Sequence, residues 1–149
     1  MGAIALTAAQ ISTPYPNKAE IYSLTAAVAI TAGQAVYTNS NGLAALADGS
    51  GASTLVDVGI ALDAAGVGQA VSVLYKGFCA GFTVSGLSVG DLAYVGDDAG
   101  ALDTAAGTVN KVIGRVRVIN QSGSVTKCLY VEPSDNADFE ARIAAIENA

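Results

Sequence analysis

Three carboxylates stand in one short stretch, GDDAGALD, at Asp97, Asp98 and Asp103. Closely spaced hard oxygen ligands are what a calcium ion needs, but the Asp-x-Asp-x-Asp-Gly order of a calcium loop is absent. A solvated turn is therefore the better reading, with calcium the lesser alternative. The other chemistry-bearing residues are as sparse. Cys79 and Cys128 match no metal-ligand spacing, and the chain has no histidine to activate either one. They read as buried free thiols. GVGQAV, starting at Gly66, resembles a fragment of a phosphate loop, yet no lysine follows it and it falls inside an expected hairpin, so it reads as a turn. The tyrosines Tyr37, Tyr75, Tyr94 and Tyr130 could in principle stack on sugars, but their regular placement inside strands favours core or interface packing.

The absence of histidine removes the commonest general base and metal ligand at neutral pH. No catalytic residue, metal or cofactor is expected. The chain has 149 residues, enough for one ordinary domain, and carries a formal net charge of -6 without a basic cluster, which argues against nucleic-acid binding. Only 13% of residues are charged and 52% are hydrophobic. That charged share is low for a soluble domain, and with a mean hydropathy of +0.46 it points to apolar surface covered by partners. No apolar run approaches the ~18 residues of a membrane span, and MGAIALTAAQ lacks the basic start of a signal peptide. A soluble product made in a cytoplasm, with no membrane partner, is the expectation.

The elements that must hold these residues are written twice. ITAGQAVYTNSNGLAAL begins at Ile30, and LSVGDLAYVGDDAGAL begins at Leu87. Ile30 and Leu87, Gly33 and Gly90, and Tyr37 and Tyr94 are each 57 positions apart, and Gly42 and Gly100 are 58 apart. The offset then becomes 55 for Gly59 with Gly114, Gly68 with Gly123 and Tyr75 with Tyr130. The order of anchors is kept and length changes fall in glycine-rich gaps, so the chain reads as an internal duplication. Two copies are too few for a solenoid. Within each copy, QAVYT or DLAYV is a short strand, NSNGL or DDAGAL a turn, VDVGIAL or VIGRVRVI a strand, and AGVG or QSGS a turn before a last strand. Many short strands with glycine turns predict a mainly β fold, a compact β-barrel or sandwich built from two duplicated β-units.

The ends differ from the repeats. STPYPNK holds two of the three prolines and reads as part of an extended arm that must be laid on something, its own chain or a neighbour. At the other end, Pro133 and the cap residues Ser134, Asp135 and Asn136 precede Phe139, Ile143 and Ile146, which share one face of a short amphipathic helix. That helix packs on its own barrel or on a partner. The expected organisation is an arm and first strand over 1–29, a duplicated β-domain over 30–132 (repeats at about 30–77 and 87–132), and a C-terminal helix over 133–149. Four of the seven basic residues, Lys111, Arg115, Arg117 and Lys127, cluster late in the chain. Arg115 and Arg117 share one face of a strand, with Val116 and Val118 on the other. An ordinary solvent face is favoured, with electrostatic contact to an acidic neighbour as the functional alternative.

AAVAITAGQAVYTNSNGLAAL, VGIALDAAGVGQAVSVLYKG and LSVGDLAYVGDDAGAL together resemble the capsid decoration, or cement, proteins of tailed bacteriophages, in particular the small β-rich group first described as a domain of unknown function. The shared style is a glycine before an Ala-Val-Tyr strand, a Gly-Leu turn, a Val-Gly-x-Ala segment and a Gly-x-x-Val-x-Val strand ending in a glycine, here Gly77. The resemblance spans roughly residues 20–131; the C-terminal helix has no counterpart in it. It implies a structural virion protein on the outer capsid surface, bound to the major capsid protein and gathered as homotrimers at three-fold and quasi-three-fold positions. Pro14, Tyr15, Pro16, Arg115, Arg117, Phe139, Ile143 and Ile146 are the candidate assembly contacts. A tail, fibre or head-spike component is the alternative, and a carbohydrate-binding β-domain a lesser one.

Overall fold

The computed structural model describes residues 2–121 and 123–134. They are mainly β: nine strands form one antiparallel sheet that curls into a half-barrel. The strands are β1 (Glu20–Thr25), β2 (Ala35–Thr38), β3 (Ala44–Leu46), β4 (Gly59–Ala61), β5 (Ala70–Cys79), β6 (Leu92–Val95), β7 (Leu102–Asp103), β8 (Val112–Gln121) and β9 (Ser124–Ser134). Across the sheet the order is β3-β2-β4-β5-β9-β8-β6-β7, with β1 attached to β5 off this path. That order is a palindrome. The pairings β2–β3, β2–β4 and β4–β5 recur as β6–β7, β6–β8 and β8–β9, and the halves meet where Phe78 of β5 faces Tyr130 of β9.

The glycines spaced through the sequence hold matching places in the two halves. Gly42 and Gly100, in the β2–β3 and β6–β7 turns, both have φ of 79°, a left-handed conformation that glycine adopts without a Cβ penalty. Gly59 and Gly114 are glycine for a different reason. A Cβ at Gly59 would lie 2.6 Å from Val73 Cγ1 and 2.8 Å from the Leu74 carbonyl oxygen, and one at Gly114 would collide with the Tyr130 carbonyl. In both halves the strand must pass close to the backbone of its hairpin partner.

The two ends of the strand path also meet. The Gly49 N–H donates to the Gly96 carbonyl at 2.6 Å, Gly100 N–H to Ala47 at 2.7 Å, Ala35 N–H to Gly100 at 2.9 Å and Val109 N–H to Gly49 at 2.7 Å. These bonds tie the loop after β3 to the segments around β6 and β7. They satisfy backbone groups that an open sheet edge would leave to solvent.

Ile60, Leu74, Val95, Leu102, Ile113, Val116, Leu129 and Val131 form the main core. A second cluster, with Ile30, Val36, Val71 and Val73, covers the other face of the first half. β5 supplies both: Val71 and Val73 go to the second cluster and Leu74 to the first, so the first half is buried on both sides. Ala26, Ala35, Ala44 and Ala61 are fully buried there, and their small side chains let the layers approach closely.

The N-terminal segment is laid on its own chain. Ile4 and Ile11 are core residues, Ile4 N–H donates to the Leu102 carbonyl, and Ser12 exchanges backbone bonds with Ala80. Short 3-10 turns at Ala8–Gln10 and Pro16–Lys18 interrupt the expected extended course. At the other end, Pro133 and Ser134 belong to β9 rather than to the start of a helix. Proline is tolerated in this strand because the β8–β9 register shifts between Val112 and Gly114, next to Pro133. Phe139, Ile143 and Ile146, and the helix expected to carry them, lie outside the described residues.

Candidate functional site

The outward surface over β5, β9 and β8 gathers the residues with most to offer a partner. β5 runs through Gly77, whose φ of 136° bends the strand as it passes from β1 to β9. A Cβ there would sit 2.9 Å from the Ala19 side chain, so the bend requires glycine. Beyond the bend, Phe78 lies half-buried beside Tyr130, ring centroids 4.9 Å apart and edge-on at 68°. Tyr15, from the turn carrying Pro14 and Pro16, adds a second edge-on contact to Phe78 at 5.6 Å. From β8, Arg117 places its guanidinium carbon 4.6 Å from the Tyr130 centroid and 5.3 Å from that of Phe78. Alongside, Lys76 of β5 and Glu132 of β9 pair at 3.6 Å with both side chains about half exposed, a contact worth little in water.

Two of the expected assembly contacts, Tyr15 and Arg117, are therefore brought together, with Phe78 and Tyr130 between them. Arg115 is exposed on the same strand, its Cα opposite Tyr130. Pro14 is half-buried and Pro16 exposed. Val118, expected opposite the arginine face, is on that side but 41% exposed, because the β8–β9 hairpin runs on past the core. Phe78 was not singled out from sequence. Its signal was its place next to Gly77, which reads as the end of a strand and is instead a bend within one.

Chemically this surface offers a planar cation beside two aromatic rings, with no hydrogen-bond partner for its N–H groups among the described residues and so an edge that can bind an anionic or carbonyl group. Cys128 and Cys79 are buried free thiols, with the Cys128 thiol 3.3 Å from the Cys79 carbonyl oxygen. Burial pushes both thiols up, Cys79 to about 12, so both stay protonated at neutral pH.

The carboxylates of GDDAGALD border a cleft of about 170 Å³. Asp97 accepts bonds from the Thr108 N–H at 2.8 Å and its hydroxyl at 2.9 Å, and Asp103 accepts from the N–H groups of Gly2 and Ala105. They pin loops. Among the described residues, no group of three or more histidine, cysteine or acidic side chains is placed to hold a metal ion. A reading of the chain as lacking a Gly-x-Ser-x-Gly motif is incorrect: Gly86-Leu87-Ser88-Val89-Gly90 has the spacing of a serine-hydrolase elbow. Ser88 sits in an exposed turn whose N–H donates to Asp91 at 2.8 Å, and the chain has no histidine to act as base, so the match is a turn.

The repeated tyrosines are half-buried, with Tyr37 and Tyr75 packed against the main and second core clusters respectively. Tyr75 meets Tyr22 at 5.8 Å as Tyr130 meets Phe78, while Tyr37 and Tyr94 each border an open cleft. No protein-family model, curated protein or solved structure matches this chain.

Proposed function

We propose that this chain is a decoration, or cement, protein of a tailed-bacteriophage head, bound to the major capsid protein on the outer surface of the expanded capsid as trimers at three-fold and quasi-three-fold positions. The sequence resemblance supplies this reading. The observation that supports it best is the outward aromatic–arginine surface carried on a sheet whose ends are tied to each other. Such a surface suits a protein that works by contact. The palindromic strand order likewise supports two duplicated β-units, with the two copies meeting between β5 and β9.

The physical role follows from linkage. A protein that binds the expanded lattice and not its precursor stabilises the expanded state by mass action. Many copies on one closed shell add up even when each contact is weak. Nothing in that role requires a reaction.

The test is co-sedimentation of the purified protein with decoration-free expanded heads of the source phage and, separately, with unexpanded precursor heads. Saturable binding to expanded heads at a copy number matching the three-fold positions is expected. Binding to neither form, or equal binding to both, would overturn the proposal.

A further inference from the structure

We propose that the surface around Arg117 receives an acidic segment of the capsid protein, with a carboxylate on the Arg117 guanidinium and a neighbouring apolar side chain on the Tyr15 and Phe78 rings. This inference rests on the capsid-binding reading above and names the partner chemistry of its docking surface.

Three observations carry it. The first is charge. The chain has 13 acidic and 7 basic residues, yet Arg115 and Arg117 both stand exposed on the outer side of β8. Among the described residues the one ion pair is Lys76 with Glu132, and neither arginine pairs with a carboxylate of those residues. An acidic protein that exposes two arginines on one face of a strand offers a local site for negative charge against an overall repulsive field.

The second is order. Arg117 lies against two rings, at 4.6 and 5.3 Å. Contact with two rings restrains the guanidinium, so less rotamer freedom is lost when a carboxylate binds than for an arginine without such contacts. The N–H edge fits a carboxylate through two parallel hydrogen bonds, which a lysine head cannot reproduce. The third is adjacency. Tyr15 and Phe78 set half-buried rings in edge-on contact beside the arginine, so an apolar side chain next to the carboxylate has aromatic surface to pack on.

The experiment compares wild type, Arg117→Glu and Arg117→Lys for binding to decoration-free expanded heads across a salt series. Circular dichroism and thermal melting confirm that each variant is folded. Arg117→Glu is expected to bind about tenfold more weakly or worse, Arg117→Lys to fall between it and wild type, and the wild-type affinity to drop with salt more steeply than that of Arg117→Glu. If wild type binds heads and folded Arg117→Glu binds equally well, the docking inference is wrong and the capsid reading stands. If wild type binds no heads, the capsid reading fails and takes the inference with it. If Arg117→Glu leaves head binding intact but changes the oligomeric state in free solution, the occupant is a second copy of this chain, and the inference is again overturned.

Discussion

The Arg117 guanidinium carbon lies 4.6 Å from the centre of the Tyr130 ring, and the same group reaches Phe78 at 5.3 Å. One side chain of β8 thus spans β9 and touches β5, across the line where the two halves of the sheet join. The contact is partly exposed, so its contribution to stability is small. Arg117→Ala is expected to cost about 0.5–1 kcal/mol in urea unfolding. A double-mutant cycle with Tyr130→Leu should show coupling of similar size; strict additivity would mean that the stack contributes nothing.

The glycine pair at the hairpin crossings makes a sharper prediction. A Cβ at Gly114 meets a backbone carbonyl, that of Tyr130, and not the movable end of a side chain. Gly114→Ala should therefore destabilise by about 2–3 kcal/mol, and Gly59→Ala by a comparable amount. Gly86 has open space around it and no positive φ. Gly86→Ala should be neutral or slightly stabilising. Equal melting temperatures for Gly114→Ala and Gly86→Ala would contradict the packing described.

The closure of the half-barrel can be read by amide exchange. Gly49, Gly100 and Val109 donate backbone hydrogen bonds between the two ends of the strand path. If that junction holds as part of the cooperative fold, these amides exchange only through near-global opening. Exchange as fast as at the exposed Gly42 turn would show that the junction opens on its own.

How much of this was legible in the sequence divides along physical lines. Glycines forced by turns or close backbone approach leave a local mark, and the spacings that joined Gly42 to Gly100 and Gly59 to Gly114 do fall at matching places in the sheet. β2, β6 and the two hairpins follow from alternation and turn residues. Long-range packing leaves no such mark. Ile4 and Ile11 reach the core from a segment with no strand period, because they pack on loops and strands distant in sequence, Ile4 at Leu102 and Ile11 at Gly33 and Gly81. Gly77 looks like the end of β5 because its neighbours give no hint that β9 waits on the far side of the bend. The Arg117 surface is half visible in the sequence: Tyr15 and Arg117 are residue types that make contacts, whereas Phe78, which joins them, depends on a cross-strand register the sequence does not state. Pro133 reads as a helix boundary by proline's usual preference, yet a shift in register lets the strand run through it.

The buried thiol predicts an alkaline limit. Burial raises Cys79 from its ordinary 9.0 to about 12. Above pH 9.0 the unfolded chain releases this proton while the folded chain keeps it, so the folded state binds more protons and stability falls as pH rises. The contribution is complete below pH 9.0 and is lost progressively between 9.0 and about 12. The slope approaches about 1.4 kcal/mol per pH unit for this one group. Cys79→Ala should flatten the pH dependence of the urea midpoint in that window, while lowering stability at pH 7 by removing a core side chain. In the native wild type both cysteines should resist alkylation at pH 8 and react promptly once urea unfolds the chain; rapid native labelling would contradict the burial.

The central proposal places this chain on the outside of a phage head, and the most direct measurement is a pair of electron cryomicroscopy reconstructions of expanded heads, with and without the protein. The predicted result is extra density on the outer surface at three-fold and quasi-three-fold positions, three copies at each, into which the curled sheet fits with the Arg117 surface against the capsid shell. Density confined to a tail, a fibre or a single vertex, or no difference between the two reconstructions, would contradict it.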